Sequence, residues 1–263
     1  MTVDHGMTSD WNPEAYARFR GLRLRPALDL LAQVGPLSEG AVVDLGCGNG
    51  AVGPALAARF PDRHRIGVDA SPTMLAKAGE TGSYHTTEEA DIASWSPDAP
   101  PALIFSNAAL HWLPDHTALM PRLAAMLAPG GWLAVQMPRQ FGQPSHRFLR
   151  DIAVALFPDR FDFADDRPPV AHAVDYWAML SPLGETTAWE TDYIQPLPPG
   201  DGAHPVRRFT EATAMRPFLD KLDASETAAF IRAYDEALAA AYPLRPDGSA
   251  LMPFRRCFFT LKV

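Results

Sequence analysis

Cysteine is scarce in this chain of 263 residues: Cys47 and Cys257 are the only two. They lie far apart, with no histidine or acidic partner at a metal-ligand spacing, so neither a disulfide scaffold nor a metal site is expected. Basic residues are also short, 23 lysines and arginines against 31 aspartates and glutamates, a net charge of −8. That balance argues against a general nucleic-acid binder. It leaves room for a small anionic substrate, because a few local arginines outweigh a global sign. No apolar run approaches the ~20 residues that span a bilayer, and no apolar stretch follows basic residues at the N-terminus. The expectation is a cytoplasmic protein with reduced thiols and no membrane association. Internal repeats and low-complexity segments are missing as well, and nothing in the sequence indicates an oligomeric state. What remains, 47% apolar and 21% charged residues, is ordinary for a globular chain with a full core.

Three stretches differ in character. Residues 1–34 open polar and then repeat apolar residues at helical spacing (Tyr16, Phe19, Leu22, Ala27, Leu30, Leu31), interrupted at Pro26. This is read as a helical segment that closes the site. Residues 35–138 alternate strand and helix. Ala41–Leu45, Arg65–Asp69, Ala102–Asn107 and Trp132–Met137 read as buried strands, with a weaker one near Tyr84–Thr87. Helices are expected over Val52–Phe60, from Ser71-Pro72 onward, and over Pro114–Leu127. In residues 139–263 the pattern loosens. Residues 139–172 resemble an insertion or lid, 205–242 carry helical patterns, and Thr186–Tyr193 and Cys257–Val263 read as closing strands. The alternation predicts an α/β fold with a doubly wound, mostly parallel sheet, capped by helices over its carboxyl edge.

The most informative segment is Asp44-Leu45-Gly46-Cys47-Gly48-Asn49-Gly50, at a strand end and opening a helix. Glycines there allow a tight turn and a close ligand approach. Gly46, Gly48 and Ala51 also satisfy a dinucleotide-type pattern. Asp44 weighs against that reading, since a carboxylate repels a pyrophosphate but receives the amino end of a methionine moiety. Asp69 ends the next strand, suited to a ribose diol, and Asp91 in Ala90-Asp91-Ile92 suits an adenine amino group.

These residues carry a resemblance. Val43 to Gly50 resembles the first motif of S-adenosylmethionine-dependent methyltransferases, Ile66 to Leu75 their second-strand motif, and Ala90-Asp91-Ile92 their adenine motif. Further segments resemble the trans-aconitate 2-methyltransferases: Asp10 to Tyr16, Arg23 with Arg25-Pro26-Ala27, Ser106 to His116, Leu133 to Pro138, Met215 to Leu219, Ala241 to Leu244, and Phe254 to Phe258. The resemblance implies a seven-stranded Rossmann-like sheet and S-adenosylmethionine as cofactor. Cofactor contacts would come from Asp44, Gly46, Gly48, Gly50, Asp69, Ala70, Met74, Asp91, Ile92 and Asn107. It implies as acceptor a carboxylate of a small polycarboxylic acid such as trans-aconitate. The departures fall where the acceptor belongs: the family's Thr-Gly-Leu-Arg-Pro stands here as Thr213-Ala214-Met215-Arg216-Pro217, its Phe-Pro-Arg as Phe254-Arg255-Arg256, and Leu22 replaces a usual Glu.

Methyl transfer to a carboxylate needs no general base, because the unperturbed pKa near ~4 leaves the acceptor ionised at neutral pH. The protein must orient the reactants and exclude water. A catalytic group is therefore not required, with His111 the one residue considered for such a role. Arg216 and Arg256 are the expected carboxylate grips, with Tyr16, Tyr242 and Trp112 as further acceptor contacts. Two other functions fit the same sequence: methylation of a different small-molecule acceptor, and a cofactor-binding module without catalysis.

Overall fold

The structure is a computed structural model, and it describes residues 24–200, 202–211 and 214–263. Seven strands form one sheet in the order β3-β2-β1-β4-β5-β7-β6. The strands are β1 (Val42–Leu45), β2 (Arg65–Asp69), β3 (Thr86–Glu89), β4 (Leu103–Asn107), β5 (Trp132–Pro138), β6 (Glu185–Leu197) and β7 (Ala250–Lys262). The first five are parallel, and β7 runs antiparallel to both β5 and β6. The chain moves outward from β1 through β2 to β3, then returns to β4 on the other side of β1. That reversal opens a crevice above the carboxyl ends of β1 and β4, where doubly wound sheets bind ligands.

Helices α1 (Arg25–Leu31), α2 (Gly53–Arg59), α3 (Pro72–Glu80) and α4 (His116–Ala125) cover the parallel half. Pro26 stands in the first turn of α1 and begins it, whereas the sequence reading treats it as an interruption. Its missing N–H costs nothing there. Ser71 caps α3 by accepting the N–H of Met74. Two apolar cores lie on opposite faces of the sheet. One joins Val43, Ile104, Leu133 and Phe259 to α4, and the other joins Val42, Phe105, Ala134 and Phe258 to α1 and α2.

The C-terminal half is more regular than its sequence suggests. Within 139–172, read as an irregular lid, Pro144–Leu156 forms α5, and α6 follows over Ala173–Leu180. The closing strands extend past the expected 186–193 and 257–263, pairing without a break from Glu185↔Lys262 to Leu197↔Ala250. Their outer part leaves the main sheet and carries a third core. There Leu149, Phe230, Tyr234 and Met252 pack α5, α7 (Pro205–Glu211), α8 (Arg216–Leu219) and α9 (Ala224–Ala241) together.

Candidate active site

The loop after β1 is built on three glycines with positive φ, each for its own reason. A Cβ on Gly46 (φ +78°) would meet the Cβ of Ala109 at 2.2 Å, so this glycine lets the loop after β4 approach β1. Gly50 (φ +77°) backs onto Ala78 of α3 at 2.9 Å. Gly48 (φ +54°) faces open space, and its N–H donates to Asp69 Oδ2 at 2.9 Å. Only Gly48 therefore fits the expectation of a glycine kept for a ligand. Gly46 and Gly50 are explained by packing within the protein.

Asp44 is 1% exposed, and Tyr84, just ahead of β3, donates its hydroxyl to Asp44 Oδ2 at 2.6 Å. Burial pushes the Asp44 carboxyl up to about 7, with the Tyr84 hydrogen bond opposing and Asp69 adding to the shift. A cation placed beside it would reverse that cost. The second oxygen of Asp69 accepts the N–H of Ser71 at 2.9 Å, which fixes the end of β2. Asp91 is exposed and accepts the N–H of Ala93, with Ile92 half-buried beside it. Ala70 and Met74 are exposed at the start of α3.

Across β4, β5 and β7 runs a stripe of buried polar groups. Asn107 is the register partner of Gln136, Gln136 of Phe258, and Pro138 of Arg256. Paired residues share a face of a sheet, as do residues two apart on a strand. Asp44, whose partner is Phe105, therefore points to the same face as Asn107, Gln136 and Arg256. Asn107 Oδ1, both amide atoms of Gln136 and Nε of Arg256 are buried without a hydrogen-bond partner. Native structures leave few such groups unpaired, so four neighbouring orphans make this stripe a candidate ligand contact.

His111 follows β4 in a single 3-10 turn, Leu110–Trp112. Its Nδ1 is a further buried orphan, and its ring lies 4.6 Å from that of Trp112. Burial, helped by the charge of Arg256, lowers its pKa to about 4 and keeps the ring neutral at pH 7. The turn is held by His116, whose Nε2 donates to the Leu110 carbonyl at 2.9 Å while Nδ1 accepts the Tyr176 hydroxyl at 2.6 Å. His111, Trp112, Gln140, Phe141, Phe209 and Phe254 line a cavity of about 550 Å³ with walls mostly apolar. Two arginines border this region, and they differ. Arg139 faces Glu190 at 3.5 Å. Arg256 is 9% exposed, stacks 4.3 Å above Phe254, and has no carboxylate partner among the described residues. Burial lowers its pKa to about 10, which leaves it charged at neutral pH.

Not every expected residue joins this group. Arg216 is exposed at the start of the four-residue α8 and does not line the cavity. Its apolar neighbours Met215 and Phe218 turn inward to the helical core and leave the arginine outside. Tyr242 spends its hydroxyl accepting the N–H of Ser145 at 3.1 Å, which anchors the start of α5, and it borders a different cavity. Tyr16 lies outside the described residues. Trp112 lines the cavity with 81% of its surface exposed. Sequence reasoning missed Tyr84, Gln136 and Gln140. The one available signal was a polar amide set inside the apolar run Val135-Gln136-Met137.

Comparison with known proteins agrees with this geometry. A methyltransferase-domain family profile matches residues 16–185. The chain is 44% identical over 257 residues to the trans-aconitate 2-methyltransferase of Methylobacterium nodulans, covering 97% of this chain and 98% of that one. It is 43% identical to the protein of the same name from Methylobacterium radiotolerans, over 95% of this chain and 97% of that one. Among solved structures, the YcgJ protein of Bacillus subtilis shares the fold at a TM-score of 0.56 and 17% identity, over 90% of this chain and 97% of that one. The chain belongs to the S-adenosylmethionine-dependent methyltransferase family, among relatives named trans-aconitate 2-methyltransferase.

Proposed function

We propose that the protein transfers the methyl group of S-adenosylmethionine to a carboxylate of a small polycarboxylic acid, with trans-aconitate the leading acceptor. The observation that carries this reading is Arg256, a buried guanidinium with no counter-ion among the described residues, on the same face of the sheet as Asp44 and Asn107. A buried unpaired cation is costly, and a planar guanidinium matches a carboxylate bidentately. The names of the relatives point to the same class of acceptor.

The residues suit the cofactor. Asp44 receives its ammonium group, Asp69 its ribose, and Asp91 with Ile92 its adenine, while Gly48 leaves the floor of the crevice open. When bound, S-adenosylmethionine supplies a methyl carbon that a carboxylate oxygen takes in line from sulfur, leaving a neutral thioether and releasing no proton. The chain's own work is orientation. Arg256 neutralises and aligns the acceptor, Asn107 stands between donor and acceptor at the end of β4, and the neutral His111 offers a hydrogen bond rather than a base. The apolar cavity walls keep water away, which strengthens these contacts. The helical core beyond β6 and β7 caps the site; most of the expected N-terminal closing segment lies outside the described residues.

The test is incubation with methyl-labelled donor and a panel of di- and tricarboxylates. A base-labile methyl ester, formed best on a tricarboxylate, is the expected product. A base-stable product, or no labelled product on the whole panel, refutes the reading. Arg256→Ala should raise acceptor KM by roughly 30-fold or more, since loss of one partner of a buried charge pair costs about 2–5 kcal/mol.

A further inference from the structure

Gln136 is 1% exposed, and neither atom of its amide has a hydrogen-bond partner. Exchanging the oxygen and nitrogen would change nothing, because both ends are orphaned. A glutamine serving only the fold would have satisfied at least one end, since buried amides are seldom left bare. Its position is equally specific. β5 lies between β4, which borders the cofactor crevice, and β7, which bears Arg256. Neighbouring strands are ~4.8 Å apart, and Arg256 stands two residues (~6.7 Å) past Gln136 along the strands, so the stripe from Asn107 through Gln136 to Arg256 spans roughly 12 Å between Cα atoms. Side chains reaching inward from its two ends leave room for a short acid with carboxylates at both ends.

We propose that Gln136 is a specificity-determining residue of the acceptor site, a neutral contact between the reacting end at Asn107 and the charged anchor at Arg256. This rests on the carboxylate-methyltransferase reading above. The amide N–H groups donate to a carboxylate of the acceptor. The carbonyl accepts from an ordered water held beside the acceptor. A cation in the same spot would bind any dianion as tightly, whereas an amide reads position and donor pattern. Gln136 thereby favours acids with a polar group midway between their ends over simple dicarboxylates.

Three variants test this: Gln136→Met, Gln136→Ala and Gln136→Glu. Gln136→Met keeps the volume and removes both orphans, so the ligand-free protein should gain roughly 2–4 °C in Tm. Its acceptor KM should rise on the order of 10- to 100-fold. Donor Kd by calorimetry should stay within about twofold. Gln136→Ala should raise KM similarly, with no gain in Tm because of the cavity it leaves. Gln136→Glu should raise the KM of tricarboxylates most, through repulsion of like charge. The tricarboxylate-to-dicarboxylate preference should fall in every variant. A lower Tm for Gln136→Met with unchanged KM and preference would mean a purely structural glutamine and overturn the proposal. Wild-type protein that esterifies no acid overturns the functional reading itself; wild-type activity matched by all three variants overturns this inference alone.

Discussion

The hydroxyl of Tyr84 lies 2.6 Å from Oδ2 of Asp44, a short hydrogen bond between a half-buried residue ahead of β3 and a carboxylate sealed beneath the glycine loop. It ties the segment between α3 and β3 to the first motif. It also explains how a buried acid is tolerated: one oxygen is solvated by protein, while burial still lifts the group to a pKa of about 7.

Donor binding should therefore depend on pH. In the ligand-free protein Asp44 is mostly protonated at pH 6 and mostly ionised at pH 8. A cationic amino group favours the ionised form, so binding at pH 6 must expel a proton. Linkage gives a donor Kd about tenfold weaker at pH 6 than at pH 8, levelling off above pH 8. Calorimetry in buffers of different ionisation enthalpy should detect about one proton released per donor bound at pH 6. Equal affinity at both pH values would remove Asp44 from the cofactor contact.

Stability should show the opposite side of the same shift. A carboxyl raised from 3.8 to about 7 in the folded state stabilises the fold relative to its ionised form at low pH. That contribution is lost as pH rises toward 7. Asp44→Asn cannot ionise, so its stability relative to wild type should improve by about 2–3 kcal/mol between pH 5 and pH 8. Denaturant titrations at the two pH values check the sign. The same variant should bind donor poorly, a trade between stability and function at one residue.

The glycines separate in the same manner. Gly46→Ala would drive a methyl into Ala109 at 2.2 Å in a left-handed backbone, and should lower stability by several kcal/mol. Gly48→Ala meets nothing within 4 Å, so its cost should be only about 1–2 kcal/mol of backbone strain. Its donor Kd should nevertheless rise, since the new methyl enters the crevice. Unfolding curves paired with donor titrations distinguish the two cases.

Much of this was legible because local rules coincide with global ones in the parallel half. Val42–Leu45 and Leu103–Asn107 are apolar runs because both faces of a parallel sheet are covered. Ser71-Pro72 announced α3 through its cap. The antiparallel half lacked such signals. In β6 the more buried side switches from the even positions 186 and 188 to the odd positions 193 and 195, so Glu185–Leu197 shows no single alternation. Its length follows from pairing with β7, a long-range fact. Helix α5 was hidden by prolines and aspartates on either side, although Pro144 at its first turn was a start signal. Arg216 and Arg256 look alike in sequence; burial alone separates them, and burial follows from where α8 and β7 lie. The Gln136 stripe depends on register between three strands that are distant in the chain.

Helix α5 supports a wall of the acceptor cavity through one contact. Arg150 lies with Cζ 3.5 Å from the ring centroid of Phe141 and donates to the Phe141 carbonyl at 2.7 Å. Arg150→Ala should free Phe141, raising acceptor KM by roughly 3- to 10-fold while leaving donor Kd unchanged. Arg150→Lys should recover part of the loss, since an ammonium retains the ring contact but not the paired donor geometry. Equal KM in wild type and Arg150→Ala would show that the wall stands without it.

The pH profile of turnover gives the sharpest test of how the chemistry is run. His111, with a pKa near 4, does not change charge between pH 6 and 9, and a polycarboxylate is ionised throughout that range. With donor and acceptor both saturating, the Asp44 proton has already been displaced, so kcat should be flat across it. Replacing His111 with Phe removes the hydrogen bond that its buried, unpartnered Nδ1 would offer a bound acceptor and should lower kcat about tenfold without altering the shape of the profile. A wild-type limb near pH 6.5 that disappears in His111→Phe would instead make the imidazole a proton acceptor. The acceptor would then be an alcohol, amine or phenol rather than a carboxylate, because only those groups must lose a proton on methylation.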